Sequence, residues 1–348
     1  MDTGAPGFGF DIGELGRYLA REVPGFGSLV HVAKFAAGQS NPTYRLDASG
    51  GSFVLRAKPP GELLKSAHQV DREFRVMAAL AETPVPVPRV FHLASDDDSP
   101  IGRAFFVMEF LDGRIFFDPA VPQARDRAER AAIYDAMNAV LADLHGVDVS
   151  AVGLADYGRP GNYFARQLSR WAEQYRLSEI EPNADMARLR DWLEANLPAD
   201  DGAVSLVHGD FRIDNMIFDP EAPKILALLD WELSTLGHPF ADLAYQCMQW
   251  RLPNEGAFRG LGGLDREALG IPTEAAYVAR YCERRGLEGI GDWTFHLAFS
   301  FFRLAAILQG VYKRFTLGNA SNPALAQVYG RSVPLLARMA NETIDAGR

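Results

Sequence analysis

The sequence predicts an α+β fold of two lobes, an antiparallel sheet carrying one helix followed by a mostly helical lobe, and three features predict it. Short β-type runs alternate with turn residues through the N-terminal part of the chain. Beyond Leu111 and the Asp112-Gly113 pair, long stretches of helical period take over. The length of 348 residues exceeds what one compact core usually holds, so two lobes are expected, residues 1–111 and 112–348.

In the first lobe the β-type runs are Leu29–Phe35, Thr43–Leu46, Ser52–Ala57, Arg89–Leu93 and Ala104–Phe110. Between the third and fourth, Ser66–Ala81 places Val70, Phe74, Met77, Ala78 and Leu80 toward one side at helical spacing, so one helix packs on a five-stranded sheet. In the second lobe helical patterns cover Arg125–His145, Tyr163–Tyr175 and Asp185–Asn196, then Phe240–Ile344 with a break at Pro253–Gly263. Two short β-like runs, Ser205–Val207 and Lys224–Leu229, lie among these helices, and each delivers its end into a polar cluster.

Apolar residues make up 48% of the chain and charged residues 23%, which suffices for a core without staples. Cys247 and Cys282 are far in sequence from any histidine cluster and read as buried thiols, not as a disulfide or a zinc site. A formal charge of −10 speaks against a nucleic-acid partner, which needs a basic stripe, and leaves the charge of a small substrate open. The longest apolar stretch, around Phe295–Leu308, is broken by Arg303, and the N-terminus lacks a basic start followed by an apolar core. A cytoplasmic protein with no membrane partner is therefore expected.

The densest chemistry lies in His208-Gly209-Asp210-Phe211-Arg212-Ile213-Asp214-Asn215, directly after Ser205–Val207, and in Asp230-Trp231-Glu232 after the second β-like run. Phosphoryl transfer requires one group to accept or orient a hydroxyl proton, and oxygen ligands to hold Mg2+ against phosphates. Asp210 fits the first role, and Asn215 and Asp230 fit the second, at the spacing kinases use. Arg212 stands where a guanidinium can meet the γ-phosphate as charge shifts during transfer. For any one of these residues the alternative is a polar turn closing a strand, since Asp and Asn commonly cap and turn the backbone. His208 reads as a histidine bracing the loop and Asp214 as a solvated turn residue.

Upstream, Gly38-Gln39-Ser40-Asn41 lies between two β-runs, where Gln39, Ser40 and Asn41 can close over phosphates; an ordinary hairpin turn is the alternative. Arg56 ends the third run and Glu73 sits on the following helix, so the pair can hold a cation against the α- and β-phosphates. Unrelated surface pairs are the alternative. At the junction of the lobes, the Glu109 carbonyl and Leu111 N–H offer an acceptor and a donor to a nucleobase, with Met108 behind the ring.

With these residues in place the chain resembles the aminoglycoside phosphotransferase and choline kinase superfamily, whose fold is that of protein kinases. Asp210, Asn215 and Asp230 carry the likeness. More narrowly, GQSNPTY, FVLRAKPPGELLKSAH, HGDFRIDN, LLDWELSTLGHPFADLAY and RLAAILQGVYKRF resemble the kinase domain joined to acyl-CoA dehydrogenase in family members ten and eleven, and its stand-alone bacterial relatives. The resemblance spans nearly the whole chain. It implies ATP- and Mg2+-dependent phosphorylation of a hydroxyl on a hydroxy acid or hydroxyacyl-CoA. Antibiotic phosphotransferases of this superfamily usually carry Lys on the third strand; here Arg56 stands there with Lys58 two residues on, and either can meet the phosphates. Asp242 matches a family position that braces the catalytic loop, a helix cap being the alternative.

Within Trp293–Phe315, His296, Arg303, Gly310 and Arg314 fall roughly on one face, and Arg303 is the candidate there for an acceptor carboxylate or a CoA phosphate. A core helix with internally paired arginines is the alternative. The expected function is a small-molecule kinase acting by direct in-line transfer. Three rivals stand beside it. A protein kinase is disfavoured by the lack of Asp-Phe-Gly and of an obvious activation segment after Asp230. A non-catalytic nucleotide-binding scaffold is disfavoured by the complete set of Asp210, Asn215 and Asp230. An aminoglycoside or other amino-alcohol phosphotransferase is favoured by the acidic charge alone.

Overall fold

The computed structural model describes residues 8–35, 41–61, 69–256, 258–319 and 322–347. The chain begins with α1 (Ile12–Glu22), β1 (Leu29–Lys34), β2 (Thr43–Ala48), β3 (Gly51–Ala57), α2 (Val70–Leu80), β4 (Val90–Ala94) and β5 (Phe105–Glu109). Helices α3 (Arg127–Gly146), α4 (Tyr163–Ser178) and α5 (Ala184–Ala195) lead into four short strands, β6 (Ser205–Val207), β7 (Met216–Phe218), β8 (Ile225–Leu228) and β9 (Thr235–Gly237). Helices α6 (Phe240–Met248), α7 (Arg266–Leu269), α8 (Glu274–Arg285), α9 (Trp293–Thr316) and α10 (Pro323–Ala346) complete it. The chain falls into two compact units, Met1–Arg114 with Val152–Leu154 and Met216–Ser234, and Ile115–Ala151 with Ala155–Asn215 and Thr235–Arg348. The division thus follows no single cut at residue 111: the stretch carrying Asp230 groups with the first unit, and the one carrying Asp210 with the second.

The first unit is built on an antiparallel sheet in the order β1-β2-β3-β5-β4. Strand alternation decides what each face carries. Phe53, Leu55 and Ala57 of β3 and Phe105 and Val107 of β5 join Leu15 and Leu19 of α1 in one apolar cluster. The intervening residues Arg56 and Phe106 point to the opposite face, where Phe106 meets Phe74 of α2 with ring centroids 6.3 Å apart. The sheet therefore carries a helix on each face, where the sequence pattern showed only α2. Gly13 and Gly16 weaken the helical signal of α1, but Asp11 caps it by accepting from the Glu14 N–H at 2.7 Å, and Leu15 and Leu19 are fully buried. Helix α2 starts at Val70; residues 66–68, where the helical pattern begins in sequence, lie outside the described residues. Strands β7 and β8 form an antiparallel pair, and the Leu228 N–H donates to the Pro86 carbonyl at 2.9 Å.

The second unit is helical. Helices α4, α5, α6, α9 and α10 share one core that includes Trp171, Leu189, Tyr245, Phe299 and Ala337, and α3 packs on α8 and on β6. Strand β6 pairs antiparallel with β9, whose three residues gave no strand signal of their own. Among the described residues α9 is the one helix long and apolar enough to cross a membrane by length and composition, and 78% of its most apolar window is buried in this unit. Its hydropathy is that of a helix enclosed by its neighbours.

Phe105 lies on the interior strand β5 with no exposed surface, whereas Val30 on the edge strand β1 is 74% exposed. Urea unfolding should therefore show Phe105→Ala losing about 3–5 kcal/mol and Val30→Ala staying within about 0.5 kcal/mol of the parent.

Candidate active site

In the second unit the chain leaves β6 and turns at Gly209, whose φ of +87° lies in the left-handed region that glycine enters without strain. Asp242, in the first turn of α6, fixes that turn. Its carboxylate accepts from the His208 N–H at 2.6 Å and the Gly209 N–H at 2.8 Å, so it serves the loop and not the end of its own helix. His145 Nε2 lies 3.4 Å from the same carboxylate, and His145 Nδ1 lies 2.7 Å from the Tyr281 hydroxyl. Burial pushes the His145 ring below its ordinary pKa, which keeps it neutral. The neutral ring then accepts from Tyr281 at Nδ1 and donates from Nε2 to Asp242. Burial by itself would raise Asp242, but the hydrogen bond from His145, the neighbouring histidines and the Gly209 N–H outweigh it and hold the carboxyl below its usual value.

Arg303 of α9 donates to the Gly209 carbonyl at 2.6 Å, with its guanidinium 5.8 Å from the Trp171 ring and 5.5 Å from the Tyr245 ring. This corrects the expectation that Arg303 presents its charge to an acceptor. The residue is buried, and α9 is a core helix whose arginine braces the loop backbone. His296 of the same helix is buried as well.

On this braced turn, the Asn215 side-chain amide donates to the Asp210 carbonyl at 2.9 Å and to Asp210 Oδ2 at 3.0 Å, leaving the Asn215 amide oxygen for another partner. Burial, then the charge of nearby Asp210, raises the pKa of Tyr245. Arg212 grips Asp214 through Nε to Oδ1 at 2.9 Å and through Nη2 to Oδ2. Asp214 is thus an ion-pair partner and not the solvated turn residue its position suggested. Burial works against the Arg212 charge, but Asp210 and Asp214 raise its pKa well above the ordinary value.

The first unit gathers a second charged cluster. Arg56 Nε lies 2.9 Å from Glu73 Oε2, and Arg56 Nη2 lies 2.6 Å from Asp230 Oδ1. The Asn41 side-chain amide donates to Glu73 Oε1 at 2.9 Å. Asp230 reaches Arg56 from a backbone with φ +63° and ψ +62°, a left-handed conformation that Asp tolerates better than most residues. Burial pushes the Glu73 carboxyl up to about 7, with Arg56 pulling the other way. Burial likewise opposes the Arg56 charge, and Glu73 and Asp230 more than restore it. Lys58 pairs instead with Asp96 at 2.7 Å, so Arg56 is the cation of this cluster.

Of the remaining residues singled out in the sequence, Gln39 and Ser40 lie outside the described residues. Met108 is buried in β5 opposite Val54. Glu109 ends that strand and donates its N–H to the Arg89 carbonyl at 2.8 Å, and Leu111 follows beyond it, half-buried. Among the described residues no group of three or more His, Cys, Asp or Glu side chains gathers as a cation cage. Mg2+ needs only one or two protein oxygens because it keeps water and phosphate oxygens, and the Asn215 amide oxygen and Asp230 carboxylate are of the hard type it takes.

Beside the Asp210 loop, within the second unit, lies a cavity of about 250 Å³. Phe117, Leu252, Phe258 and Leu304 give it apolar walls, and Arg212, Tyr245 and Arg259 give it polar ones. Arg259 is paired with Asp118 at 3.2 Å. Neither Tyr245 nor His145 was evident from sequence. Tyr245 stands three residues after Asp242 on the same helix, a spacing that places both toward the loop.

An Asp–Asn pair on a turn held by a buried carboxylate, together with a sheet cation clamped by a helix glutamate, defines the class of a kinase-type phosphotransferase. The sequence model of the phosphotransferase enzyme family matches residues 31–278, and the chain belongs to that family. It is 48% identical over 312 residues to acyl-CoA dehydrogenase family member 10 of Mus musculus, covering 89% of this chain and 29% of that protein. It is 43% identical over 318 residues to acyl-CoA dehydrogenase family member 11 of Rattus norvegicus, covering 90% of this chain and 41% of that protein. The chain therefore spans under half the length of these curated relatives. A solved protein of Ralstonia eutropha JMP134 with the provisional name aminoglycoside phosphotransferase superimposes with a TM-score of 0.87 at 49% identity, covering 97% of this chain and 99% of that one. Aminoglycoside phosphotransferase APH(4)-Ia, solved with AMP-PNP and hygromycin B, shares the fold alone at 16% identity and a TM-score of 0.59, covering 94% of this chain and 98% of that one.

Asp242→Asn replaces one acceptor oxygen with an N–H2 aimed at a backbone N–H, and urea unfolding should show a loss of about 1–3 kcal/mol. The histidines of this unit predict a pH dependence. Burial is the leading cause that lowers His145, His238 and His296, the last to about 3. The unfolded chain takes up these protons near the ordinary imidazole value of about 6.5 and the folded chain resists, so the histidine contribution to stability falls as pH drops from about 6.5 toward 3. Glu73, raised to about 7, works in the opposite sense as pH falls, so the histidine contribution is read by difference: the urea midpoint of His296→Phe should decline less than that of the parent between about pH 6.5 and 3.

Proposed function

We propose that the chain is an ATP- and Mg2+-dependent kinase that phosphorylates the hydroxyl of a small molecule, a hydroxy acid or hydroxyacyl-CoA. The observation that carries this reading is the Asp210–Asn215 pair on a loop whose backbone is fixed by Asp242 and Arg303. Asp210, oriented by Asn215, receives or aligns the acceptor's proton. Arg212, positioned by Asp214, offsets charge on the transferred phosphoryl group. Arg56, clamped by Glu73, holds the α- and β-phosphates, and Asn41 steadies Glu73. The Asn215 amide oxygen and Asp230 would hold Mg2+, which supplies neutralisation of phosphate charge when bound.

The solved relative bound to AMP-PNP supports ATP as the donor. The cavity supports the acceptor. Its walls are apolar and polar in equal part, and its charged lining is Arg212, Arg259 and Asp214, of which the one carboxylate is already paired with Arg212. Such a lining suits an apolar chain carrying an anion or a thioester better than a polycationic aminoglycoside. The aminoglycoside reading keeps two supports, the formal charge of −10 and the provisional name of the Ralstonia relative.

The test is ATP consumption against hydroxy acids, their CoA thioesters, choline-like amines and aminoglycosides, with product phosphorylation followed by mass spectrometry. Asp210→Asn should lower kcat on the best acceptor by about 10²–10⁴. Wild-type turnover in that variant would remove Asp210 from the chemistry and the reading with it.

A further inference from the structure

Gln249 stands at the C-terminal cap of α6 and lines the cavity beside the Asp210 loop. Its backbone is fully engaged: its N–H donates to the Gln246 carbonyl at 3.2 Å, and its carbonyl accepts from the Leu261 N–H at 2.7 Å. Its side chain is not. The residue is 6% exposed, and Oε1 is buried without a hydrogen-bond partner among the described residues. A buried carbonyl-type oxygen left unpaired is destabilising, and at a cavity wall it is the group a ligand donor satisfies.

The placement also gives a distance. Tyr245, Met248, Gln249 and Leu252 all line the cavity at steps of three and four residues, so they share one face of α6 and its continuation. Tyr245 marks the Asp210 end of that face: its ring lies 5.5 Å from the Arg303 guanidinium, which holds the Gly209 carbonyl next to Asp210. Gln249 lies four residues on, about 6 Å along the helix axis. Leu252 and Phe258 give the same cavity apolar surface.

Resting on the kinase reading above, we propose that Gln249 is the specificity-determining residue for the acceptor: its carboxamide hydrogen-bonds a second donor group of the substrate, an O–H or an amide N–H. That donor sits about 6 Å from the hydroxyl that is phosphorylated, a separation set by one helical turn and a fraction. Gln246 provides the control, because both of its side-chain polar atoms are also buried and unpartnered while it is not among the residues lining the cavity.

The experiment compares three probes: a linear monohydroxy acid, its counterpart with a second hydroxyl three carbons along, and its N-acetylcysteamine thioester, which carries an amide N–H. Binding is measured by calorimetry and phosphorylation by mass spectrometry, for wild type, Gln249→Leu, Gln249→Met, Gln246→Met and Asp210→Asn. Wild type should bind at least one donor-bearing probe about tenfold or more tighter than the monohydroxy acid, the preference a hydrogen-bonding site shows over an analogue lacking the group. Which of the two it prefers tells a hydroxyl from an amide. Both Gln249 variants should lose that preference, with the loss falling on KM, while Gln246→Met keeps it. Either variant suffices if the other fails to fold. Equal affinity for all three probes in wild type, no binding of any, or a preference that survives in the Gln249 variants or vanishes equally in Gln246→Met, overturns the assignment. Phosphorylation that depends on Asp210 alongside such a result leaves the kinase reading standing. A Gln249-dependent preference without any phosphorylation supports the assignment and removes the kinase reading instead.

Discussion

The Asp210 loop depends on one buried carboxylate. Asp242 gives up solvent entirely, and it remains ionised because two backbone N–H groups and a neutral histidine point at it. Those same N–H groups belong to His208 and Gly209, so the interaction that keeps the charge inside the protein also sets where Asp210 begins. Arg303 fixes the opposite side of the same peptide through the Gly209 carbonyl. The backbone of this loop is held by charge-assisted hydrogen bonds made in low dielectric, where they are strongest.

A similar economy governs the first unit. The alternation of β3 puts Leu55 into the apolar cluster under α1 and turns Arg56 to the other face, toward Glu73 on α2 and Asp230 after β8. A shift of one residue in the register of that strand would bury the guanidinium among Leu15, Leu19 and Phe105, which the desolvation cost forbids. The hydrophobic pattern of the sheet therefore enforces the placement of the cation. The left-handed backbone at Asp230 is the local strain that accompanies this arrangement, and the ion pair with Arg56 opposes it.

Much of this was legible in sequence because it is local. Five strands, α2 and the helices α3 to α5 followed from period-2 and period-3.6 patterns, and Asp210, Asn215 and Asp230 followed from spacing at the ends of short apolar runs. What went unread was non-local or masked. Helix α1 hid behind Gly13 and Gly16, and β9 is three residues whose only strand signal is its partner β6. Asp214 looked like a turn residue because its role lies in the fold of the Arg212 side chain back onto it. Arg303 looked like an anion receptor because helical spacing reports a face, not what that face meets.

By itself the sequence determined the fold class, the order of the elements and the identity of the polar residues gathered after β6 and β8, since these are written in composition, period and spacing over a few residues. Only the tertiary structure decided which of those residues act on one another. It paired Arg56 with Glu73 and Asp230 and Lys58 with Asp96, turned Asp242 from a possible helix cap into the brace of the loop, and set the Arg303 guanidinium on the Gly209 carbonyl. The physical reason is that a buried charge is defined by its partners. Those partners come from distant parts of the chain, and only close packing brings them within hydrogen-bond reach.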